Sequence, residues 1–317
     1  MAYDKMASIL VTGASGRLGS SLIEALRPTF GNDIVALIQE GSQEVKGVAN
    51  YVADIEKKES MEKAFNNIDI VVHLAAIVSQ YKFGKKKIFS VNVGGTKNVL
   101  EMCKEHGVKK IVFASSVDVY GTNRKDLLSE SSALKPADAY GKSKAEAEKL
   151  IIDSGIDYVI FRMAVIYGPK FEESFFKVFD SVKRGNAYII GDGSNLLSLI
   201  HIRDVVSAYM LAMQKNAHGV YNLSDGMSYT QLYLYNLAAK LLGVEMTPKH
   251  VGKFAAMLLA RLKGFDTDEL RFITSNRRID TTKIMKELGF TPSVSINEGG
   301  SELVGMFLSS SSQKVQQ

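Results

Sequence analysis

The sequence predicts an α/β fold in which a doubly wound parallel sheet is followed by a smaller mixed lobe. Short apolar runs alternate with helical patterns in the first half of the chain, and a glycine-rich turn follows the first run. The 317 residues are enough for one large domain or two smaller ones. Because the strand-like runs are almost wholly apolar, we expect a sheet that helices cover on both faces.

The first half of the chain supplies the strands and helices of this sheet. "SILVTG" at 8–13 is a short apolar run that stops at Gly13, which is typical of a buried strand. The segment 16–28 has a helical pattern, and we expect Pro28 to end that helix. Further strands are predicted at 33–39, 68–76, 109–116 and 157–169, and further helices at 60–67, 95–107 and 138–155.

The regular alternation loosens after Pro169. Helical patterns follow at 172–184, 203–215, 229–242 and 250–263, with short strand candidates at 187–190, 197–202 and 219–223. We therefore expect a sheet domain at 1–168, to which parts of 197–223 return, and a smaller mixed α/β lobe at 169–308. The last segment, 309–317, is polar and low in complexity, so we expect it to be disordered.

Composition excludes several classes of function. The chain is 46% hydrophobic and 23% charged, with a net charge of +5 and no basic stripe with interleaved aromatics, so we expect no nucleic-acid partner. No apolar stretch approaches the ~20 residues of a spanning helix, so we expect no membrane partner. The single cysteine, Cys103, fits a reducing compartment, and we expect a cytoplasmic protein. The five histidines show no metal-ligand spacing, so we expect no metal.

The first group of candidate site residues is the glycine-rich turn "LVTGASGRLGS". Gly13, Gly16 and Gly19 lie where the first strand gives way to the first helix. Glycines let the backbone approach a pyrophosphate, and the helix N-terminus offers free N–H groups and a positive dipole end. We therefore predict a dinucleotide cofactor. The cofactor-binding residues expected in this turn are Gly13, Ser15, Gly16, Arg17, Leu18 and Gly19.

The choice between NAD and NADP depends on the end of the second strand, "ALIQEG". A carboxylate there would bind the ribose of NAD, and a nearby arginine would accept the phosphate of NADP. Ile38 can do neither, Gln39 is neutral, and Arg17 is a possible phosphate partner. We expect both cofactors to bind, with a slight lean to NADP. Asp54, after a short strand at 50–53, could accept from the adenine amino group.

The second group of candidate site residues combines "FASSVDVYG" at 113–121 with "AYGKSK" at 139–144. The serines of the first segment emerge at the carboxyl edge of the sheet, where doubly wound folds bind ligands. Tyr140 and Lys144 stand four apart at the start of a helix, so they share a face. A nearby ammonium lowers the pKa of a phenol, so Tyr140 could exchange a proton with a hydroxyl or carbonyl while a nicotinamide exchanges hydride at the same carbon.

The sequence resembles the extended short-chain dehydrogenases/reductases, the family of the NAD-dependent epimerases and dehydratases. The resemblance runs from about residue 8 to 304 and implies a Rossmann fold with a C-terminal substrate-binding lobe. The motifs that carry it are "TGASGRLG" (12–19), "VADI" (52–55), "VVHLAA" (71–76), "VNVGGTKNVLE" (91–101), "FASSVDVYG" (113–121), "YGKSK" (140–144), "YGP" (167–169), "GDGSN" (191–195) and "ELGFTP" (287–292).

The resemblance implies specific roles for individual residues. Ser116 aligns with the catalytic serine or threonine, with Ser115 as the residue that a register error would select, while Tyr140 is the proton donor or acceptor. Lys144 would also bind the nicotinamide ribose, and Asn92 matches a structural asparagine. The cofactor-binding positions expected beside the glycine-rich turn are Gln39, Asp54, Ile55, Leu74, Ala75, Ala76, Tyr140 and Lys144.

The branch of the family is indicated by two departures from the sugar-nucleotide epimerases. Val165 stands where epimerases usually have an asparagine, and Leu197 and Ser198 stand where they have an arginine–aspartate pair. The segment 74–101 looks closer to the hydroxysteroid dehydrogenase and dihydroflavonol reductase branch. We therefore expect an NAD(P)-dependent oxidoreductase of a ketone or aldehyde and an alcohol. A nucleotide-sugar epimerase or dehydratase is the alternative, and a non-catalytic dinucleotide-binding protein is the second alternative.

The resemblance also implies partners. The partner would be a small-molecule substrate, for which the candidate residues are Ser79, Ser116, Val117, Asp118 and Arg277. The family pairs two helices of each subunit into a four-helix bundle, here those near 95–106 and 140–154, so we expect a homodimer. The apolar residues expected to form that interface are Val99, Met102, Cys103, Ala147, Leu150 and Ile151.

Overall fold

The computed structural model describes residues 7–78, 83–215, 217–262 and 274–315. Seven parallel strands form the main sheet in the order β3-β2-β1-β4-β5-β7-β12, so the predicted doubly wound sheet is confirmed. The seven strands are β1 (Ile9–Thr12), β2 (Ile34–Ile38), β3 (Ala49–Val52), β4 (Ile70–His73), β5 (Lys110–Ser116), β7 (Asp157–Met163) and β12 (Gly219–Leu223). The strand order reverses between β1 and β4, where folds of this class open a ligand crevice at the carboxyl ends of the strands.

Helices cover both faces of the sheet, which explains why its central strands are apolar throughout. The ten α-helices of the described residues are α1 (Arg17–Phe30), α2 (Lys85–Phe89), α3 (Thr96–Glu105), α4 (Ala139–Ile152), α5 (Glu173–Lys183), α6 (Ile202–Gln214), α7 (Gln231–Leu242), α8 (Lys253–Leu262), α9 (Thr282–Leu288) and α10 (Ile296–Val315). Residues of α1 and α6 pack in the core on one face. Residues of α3 and α4 pack in the core on the other face. None of the helices in the described ranges is long and apolar enough to cross a membrane.

The lobe after residue 169 is built from short paired strands and helices with their own apolar core. The remaining strands are β6 (Leu127–Leu128), β8 (Val165–Tyr167), β9 (Tyr188–Ile190), β10 (Leu196–Leu197), β11 (Leu199–His201), β13 (Tyr229–Thr230), β14 (Lys249–Val251) and β15 (Arg278–Ile279). Two of the pairs connect distant segments, because β6 pairs with β15 and β8 pairs with β11. The lobe therefore reaches back to the edge of the sheet where the candidate site lies.

Three local predictions differ from the structure. Pro28 does not end α1, which continues to Phe30; only one helical hydrogen bond is lost this close to the end, and Gly31 N–H donates to Arg27 O. The segment 60–67 is part of a 3₁₀ helix at Lys58–Phe65 rather than an α-helix. The polar segment predicted to be disordered lies in α10 as far as Val315. Phe307 anchors that helix in the core, and Ser309 Oγ donates back to Gly305 O at 2.9 Å.

The apolar residues expected at a dimer interface do not face outward. Five of them are completely buried within the subunit, under the sheet, and Leu150 packs half-buried against the same core; the five are Val99, Met102, Cys103, Ala147 and Ile151. These five residues are apolar because they pack against the sheet, so their assignment to a subunit interface was wrong, whereas the assignment of Leu150 stays a prediction. The outward residues of α3 and α4 include Lys97, Lys104, Lys142 and Glu146. A homodimer stays a prediction without this support.

Candidate active site

The glycine-rich turn between β1 and α1 is closely packed against the loop that follows β4. Gly13 has a φ of +67°, and a Cβ there would lie 2.8 Å from Ala75 N. A Cβ on Gly19 would lie 2.4 Å from Gly13 O, so only glycine fits both positions. Gly16 is the N-cap of α1 and has no side chain to cap the helix. The first N–H groups of α1 are therefore available to an anionic group such as a pyrophosphate.

The other residues predicted for the cofactor lie around this turn. Ser15 is half-buried in the turn, and Leu18 packs half-buried against the core beneath it. The guanidinium carbon of Arg17 lies 5.2 Å from the centroid of the Phe171 ring, which comes from the segment after β8. This cation–π contact holds Arg17 near the entrance of α1.

The end of β2 shows why Ile38 cannot bind a ribose. Ile38 is 2% exposed and belongs to the core, whereas Gln39 and Glu40 are exposed beyond the strand. Asp54 Oδ1 accepts from Glu56 N–H at 3.0 Å, so this oxygen already stabilises its own turn. Ile55 is buried, and its Cδ1 would lie 2.5 Å from a Cβ on Gly95. Ile55 therefore fixes the approach of α3 to the sheet edge.

A buried histidine that the sequence analysis did not single out holds the loop containing Leu74, Ala75 and Ala76. Thr96 Oγ donates to Asn92 O at 2.6 Å, so His73 Nε2, 3.0 Å from that hydroxyl, must be the donor to Thr96. His73 Nδ1 then accepts from Thr12 Oγ at 2.7 Å. Thr12 Oγ in turn accepts from the N–H groups of Leu74 and Ala75, each at 3.2 Å. Burial lowers the pKa of His73 to about 3, and the charge of Lys144 acts in the same direction.

Asn92 links this loop to the helix that carries Tyr140. Its Oδ1 accepts from Ile77 N–H at 2.8 Å, and its Nδ2 donates to Ile77 O at 3.0 Å and to Ser143 Oγ at 2.9 Å. Ser143 Oγ donates to Tyr140 O at 2.7 Å. Asn92 itself lies in a π-helical turn at Ser90–Gly95 that precedes α3. One side chain therefore fixes the distance between the loop after β4 and the first turn of α4.

Ser116 and Tyr140 meet at the carboxyl edge of β5, as the sequence predicted. Ser116 ends β5 and Tyr140 lies in the first turn of α4, close enough for Ser116 to influence the ionisation of the phenol. Burial raises the pKa of Tyr140, the carboxylates of Asp118 and Asp138 raise it further, and the hydrogen bond with Ser116 lowers it. Ser115 points to the opposite face, where its hydroxyl donates to Glu148. The structure therefore separates the roles of the two serines.

Lys144 lies one turn after Tyr140 and is 2% exposed. Its Nζ donates to Ala114 O at 2.8 Å and lies 5.9 Å from the centroid of the Tyr140 ring. Burial lowers the pKa of Lys144 to about 7, while the carboxylate of Glu148 acts in the opposite direction. The predicted pairing of amine and phenol on one helix face is present, with a backbone carbonyl as the hydrogen-bond partner of the amine.

Three of the five substrate candidates line or border one small cavity. Its lining residues are mainly apolar: Val117, Val165, Leu197, Ser198, Ser275, Arg277 and Ile279. Asp118 is beside this cavity and forms an ion pair with Arg277, so two residues predicted separately to bind substrate bind each other here. Ser116 joins them through a hydrogen bond with Asp118. Ser79 lies outside the described residues.

A family model confirms the resemblance that these motifs carry. The model of the NAD dependent epimerase/dehydratase family matches residues 9–224, which is more than half of the chain. This protein therefore belongs to the NAD-dependent epimerase/dehydratase family, one of the extended short-chain dehydrogenases/reductases. The members of this family are NAD-dependent enzymes, among them epimerases, dehydratases and dehydrogenases.

Individual relatives come from more than one branch of that family. UDP-glucose 4-epimerase of Vibrio cholerae is 26% identical over 315 residues, which span 95% of each chain. A 3beta-hydroxysteroid-dehydrogenase/decarboxylase (isoform 2) of Arabidopsis thaliana is 29% identical over 309 residues, 86% of this chain and 54% of that protein. Both activities that the sequence analysis weighed are therefore represented among the relatives.

Solved structures are similar over nearly the whole chain. UDP-glucose 4-epimerase of Thermotoga maritima, solved with UDP-glucose, has a TM-score of 0.80 and 26% identity, covering 95% of this chain and 99% of that one. UDP-glucose 4-epimerase of Thermus thermophilus, solved with NAD, has a TM-score of 0.75 and 25% identity, covering 95% and 98%. These comparisons favour the nucleotide-sugar alternative over the simple oxidoreductase that we expected.

Proposed function

We propose that this protein is an NAD-dependent enzyme that oxidises a secondary alcohol of a nucleotide sugar and then returns the hydride to the resulting ketone, as an epimerase does. The observation that carries the proposal is the placement of Tyr140 and the buried Lys144 on one face of α4, with Ser116 at the adjoining end of β5. The substrate class is supported by the UDP-glucose 4-epimerases among the relatives and solved structures.

The residues around the glycine-rich turn fit a dinucleotide. The uncapped N-terminus of α1 suits a pyrophosphate, and the close backbone packing that requires glycine at Gly13 and Gly19 holds the turn that leads into it. A bound nicotinamide would supply the hydride acceptor and donor. The loop of Leu74, Ala75 and Ala76, held by His73 and Asn92, would border it.

The proton steps fall to the chain's own residues. Tyr140 would accept the proton of the substrate hydroxyl at its phenol oxygen and return it in the reverse step. Ser116 would hold the substrate oxygen next to that phenol. The positive charge of Lys144, kept close to the Tyr140 ring by Ala114 O, would stabilise the phenolate and so oppose the rise in the Tyr140 pKa that burial and the two aspartates cause.

A net oxidoreductase of a less polar alcohol is the second candidate, and one observation favours it. The cavity beside Ser116 and Asp118 is lined by Val165 and Leu197, where epimerases usually have asparagine and arginine, and Arg277 is already paired with Asp118. Apolar side chains at these two positions offer no charge-assisted hydrogen bond to a diphosphate. The 3beta-hydroxysteroid-dehydrogenase/decarboxylase among the relatives is consistent with this candidate.

One experiment separates the two candidates. The purified protein with NAD is incubated with UDP- and dTDP-hexoses and, in parallel, with hydroxysteroids, while nicotinamide reduction is followed by absorbance and the stereochemistry of the sugar by NMR. Inversion of a sugar centre without net NADH supports the proposed function. Stoichiometric NADH with a hydroxysteroid and no inversion of any sugar would replace it with the second candidate.

Cofactor preference gives a prediction for Arg17. We propose that both cofactors bind and that Arg17 contributes to NADP alone, because its guanidinium could pair with the extra phosphate. Arg17→Ala should weaken NADP binding by about tenfold, or about 1.4 kcal/mol, and NAD binding by less than about twofold. Isothermal titration with both cofactors measures this, with Arg27→Ala in the last turn of the same helix as the matched control. Equal losses for the two cofactors would mean that Arg17 does not recognise the phosphate.

The cellular location is also a proposal. Cys103 is free and fully buried, and its pKa is raised to about 12 by burial, so the thiol is unreactive. With this single cysteine the chain cannot form an internal disulfide, which is the feature typical of proteins in oxidising compartments. This supports the cytoplasmic location that the sequence predicted.

A further inference from the structure

Ser116 is connected to a carboxylate that the catalytic assignment does not use. Its hydroxyl donates to Asp118 Oδ2 at 3.0 Å, and Asp118 N–H donates to Ser116 Oγ at 3.1 Å. A hydroxyl has only one proton to donate. Asp118 therefore fixes the orientation of the Ser116 hydroxyl, and its carboxylate is also one of the charges that raise the pKa of Tyr140.

Asp118 is held in turn by a guanidinium from the C-terminal lobe. Arg277 Nη1 donates to Asp118 Oδ1, and the two side chains are 5% and 13% exposed. The backbone of Arg277 is fixed on both sides, because its N–H donates to Leu196 O at 3.0 Å and its carbonyl accepts from Ser198 Oγ at 3.3 Å. Arg277 thus lies directly before β15 with its backbone bonded to Leu196 and Ser198, while Asp118 lies in a short 3₁₀ helix, Val117–Tyr120, that follows β5.

We propose that Asp118 and Arg277 are a positioning pair for Tyr140: Asp118 orients the Ser116 hydroxyl, and Arg277 balances the negative charge that Asp118 places beside the phenol. The catalytic meaning of the pair rests on the proposed function, in which Tyr140 transfers the proton. The charge balance itself is a property of the folded chain and is measurable without any substrate.

Several groups face Tyr140 and must be considered together. The carboxylates of Asp118 and Asp138 both raise its pKa, and the ammonium of Lys144 lies on the same face of α4. Tyr209 lies close enough for Tyr140 to affect its ionisation, but Tyr209 is fully buried and neutral. Asp118 is ion-paired with Arg277 of the C-terminal lobe, so it couples the lobe to the phenol.

The two single substitutions should move Tyr140 in opposite directions. Arg277→Gln leaves the Asp118 carboxylate without its counter-charge and should raise the pKa of Tyr140 by about one unit. Asp118→Asn removes a carboxylate that raises the pKa of Tyr140 and should lower that pKa by about one unit. The double variant has neither charge, so its Tyr140 should titrate within about 0.3 units of wild type.

The measurement is an ultraviolet difference titration of tyrosinate in the full-length protein with saturating NAD. Each variant is compared with the same variant carrying Tyr140→Phe, so that the difference reports Tyr140 alone. Arg278→Gln is the matched control, because Arg278 is the exposed neighbour of Arg277 and its loss should not move the titration. Where turnover is detected, the acid limb of kcat/KM should shift in the same direction as the titration.

Opposite shifts of the Tyr140 pKa in the two single variants, which cancel in the double variant, support the positioning pair. Two results would overturn it: both single variants shift the pKa in the same direction, or the double variant shifts it as far as a single variant does. A purely structural ion pair gives one of these overturning results, because either single substitution then only loosens the packing around Tyr140. If Arg277→Gln does not fold, the other two variants still decide: Asp118→Asn should lower the Tyr140 pKa, and the double variant should restore it to the wild-type value. If the titration behaves as expected but no alcohol is oxidised, the proposed function fails and the positioning pair stands.

Discussion

Replacing Tyr140 by phenylalanine should abolish turnover, by at least about 100-fold, while cofactor affinity stays within about threefold of wild type. The substitution removes one hydroxyl and keeps the ring, so the packing at the start of α4 is preserved. The lost hydroxyl is the group that, in the proposed function, exchanges a proton with the substrate oxygen. Turnover is measured by steady-state kinetics on whichever of the tested sugars or steroids proves to be the substrate, and cofactor affinity is measured by titration with NAD.

The matched control is Tyr233→Phe, which makes the same chemical change at a tyrosine of α7 that is 42% exposed. This variant should retain wild-type turnover. A Tyr140→Phe protein with near-normal kcat would remove Tyr140 from the proton step and with it the reaction class. Loss of NAD binding in the same variant would instead show that the hydroxyl has a mainly structural role.

The parts of the fold that could be predicted from sequence are those with strong local signals. Strand β1 was found because a short apolar run stops at Gly13, and β12 was found at 219–223 with the bounds that the structure shows. The glycine-rich turn was found because it stands between a strand and a helix. The spacing of three glycines alone is a weak signal, and this position makes it specific for dinucleotide binding. Ser116, Tyr140 and Lys144 were placed together because β5 and α4 end and begin at one sheet edge.

The rest could not be predicted because it depends on which side of an element a residue faces across the fold. Cys103 and Ala147 were assigned to a subunit interface from their apolar character, which is equally consistent with packing against the sheet, as the structure has it. Asp118 and Arg277 are 159 positions apart, and nothing local joins them. His73 could have been noticed as a polar residue in a fully buried strand, although its partners could not.

Glu148 is the most informative residue that the sequence did not single out. It stands between Glu146 and Lys149 in a charged stretch of α4, yet it is 1% exposed. The overlooked signal is its spacing, because Tyr140, Lys144 and Glu148 follow one another at intervals of four and so form one stripe on α4. That stripe faces the sheet, while Glu146 and Lys149 face solvent.

Replacing Glu148 by glutamine should therefore lower the free energy of unfolding by about 3 kcal/mol or more. Arg162 of β7 is 5% exposed and donates to the Glu148 carboxylate from Nε at 3.1 and 3.2 Å and from Nη2 at 2.7 Å. Although burial opposes the charge of Arg162, its pKa is raised because the Glu148 hydrogen bonds and charge outweigh that cost. Without the carboxylate, a guanidinium is left in the interior with no compensating charge. Urea denaturation followed by circular dichroism measures the loss.

Two further variants decide whether charge is the cause. Glu146→Gln makes the same change at the exposed neighbour and should stay within about 0.5 kcal/mol of wild type. Glu148→Met combined with Arg162→Met removes both buried charges and should recover part of the stability, although Tyr120 Oη and Glu130 O lose their Arg162 donor. A Glu148→Gln protein less than about 1 kcal/mol below wild type, or a double variant worse than the single one, would contradict this account. Because Glu148 ties the Lys144 helix to β5 and β7, the same ion pair that stabilises the fold also holds the candidate catalytic residues against the sheet.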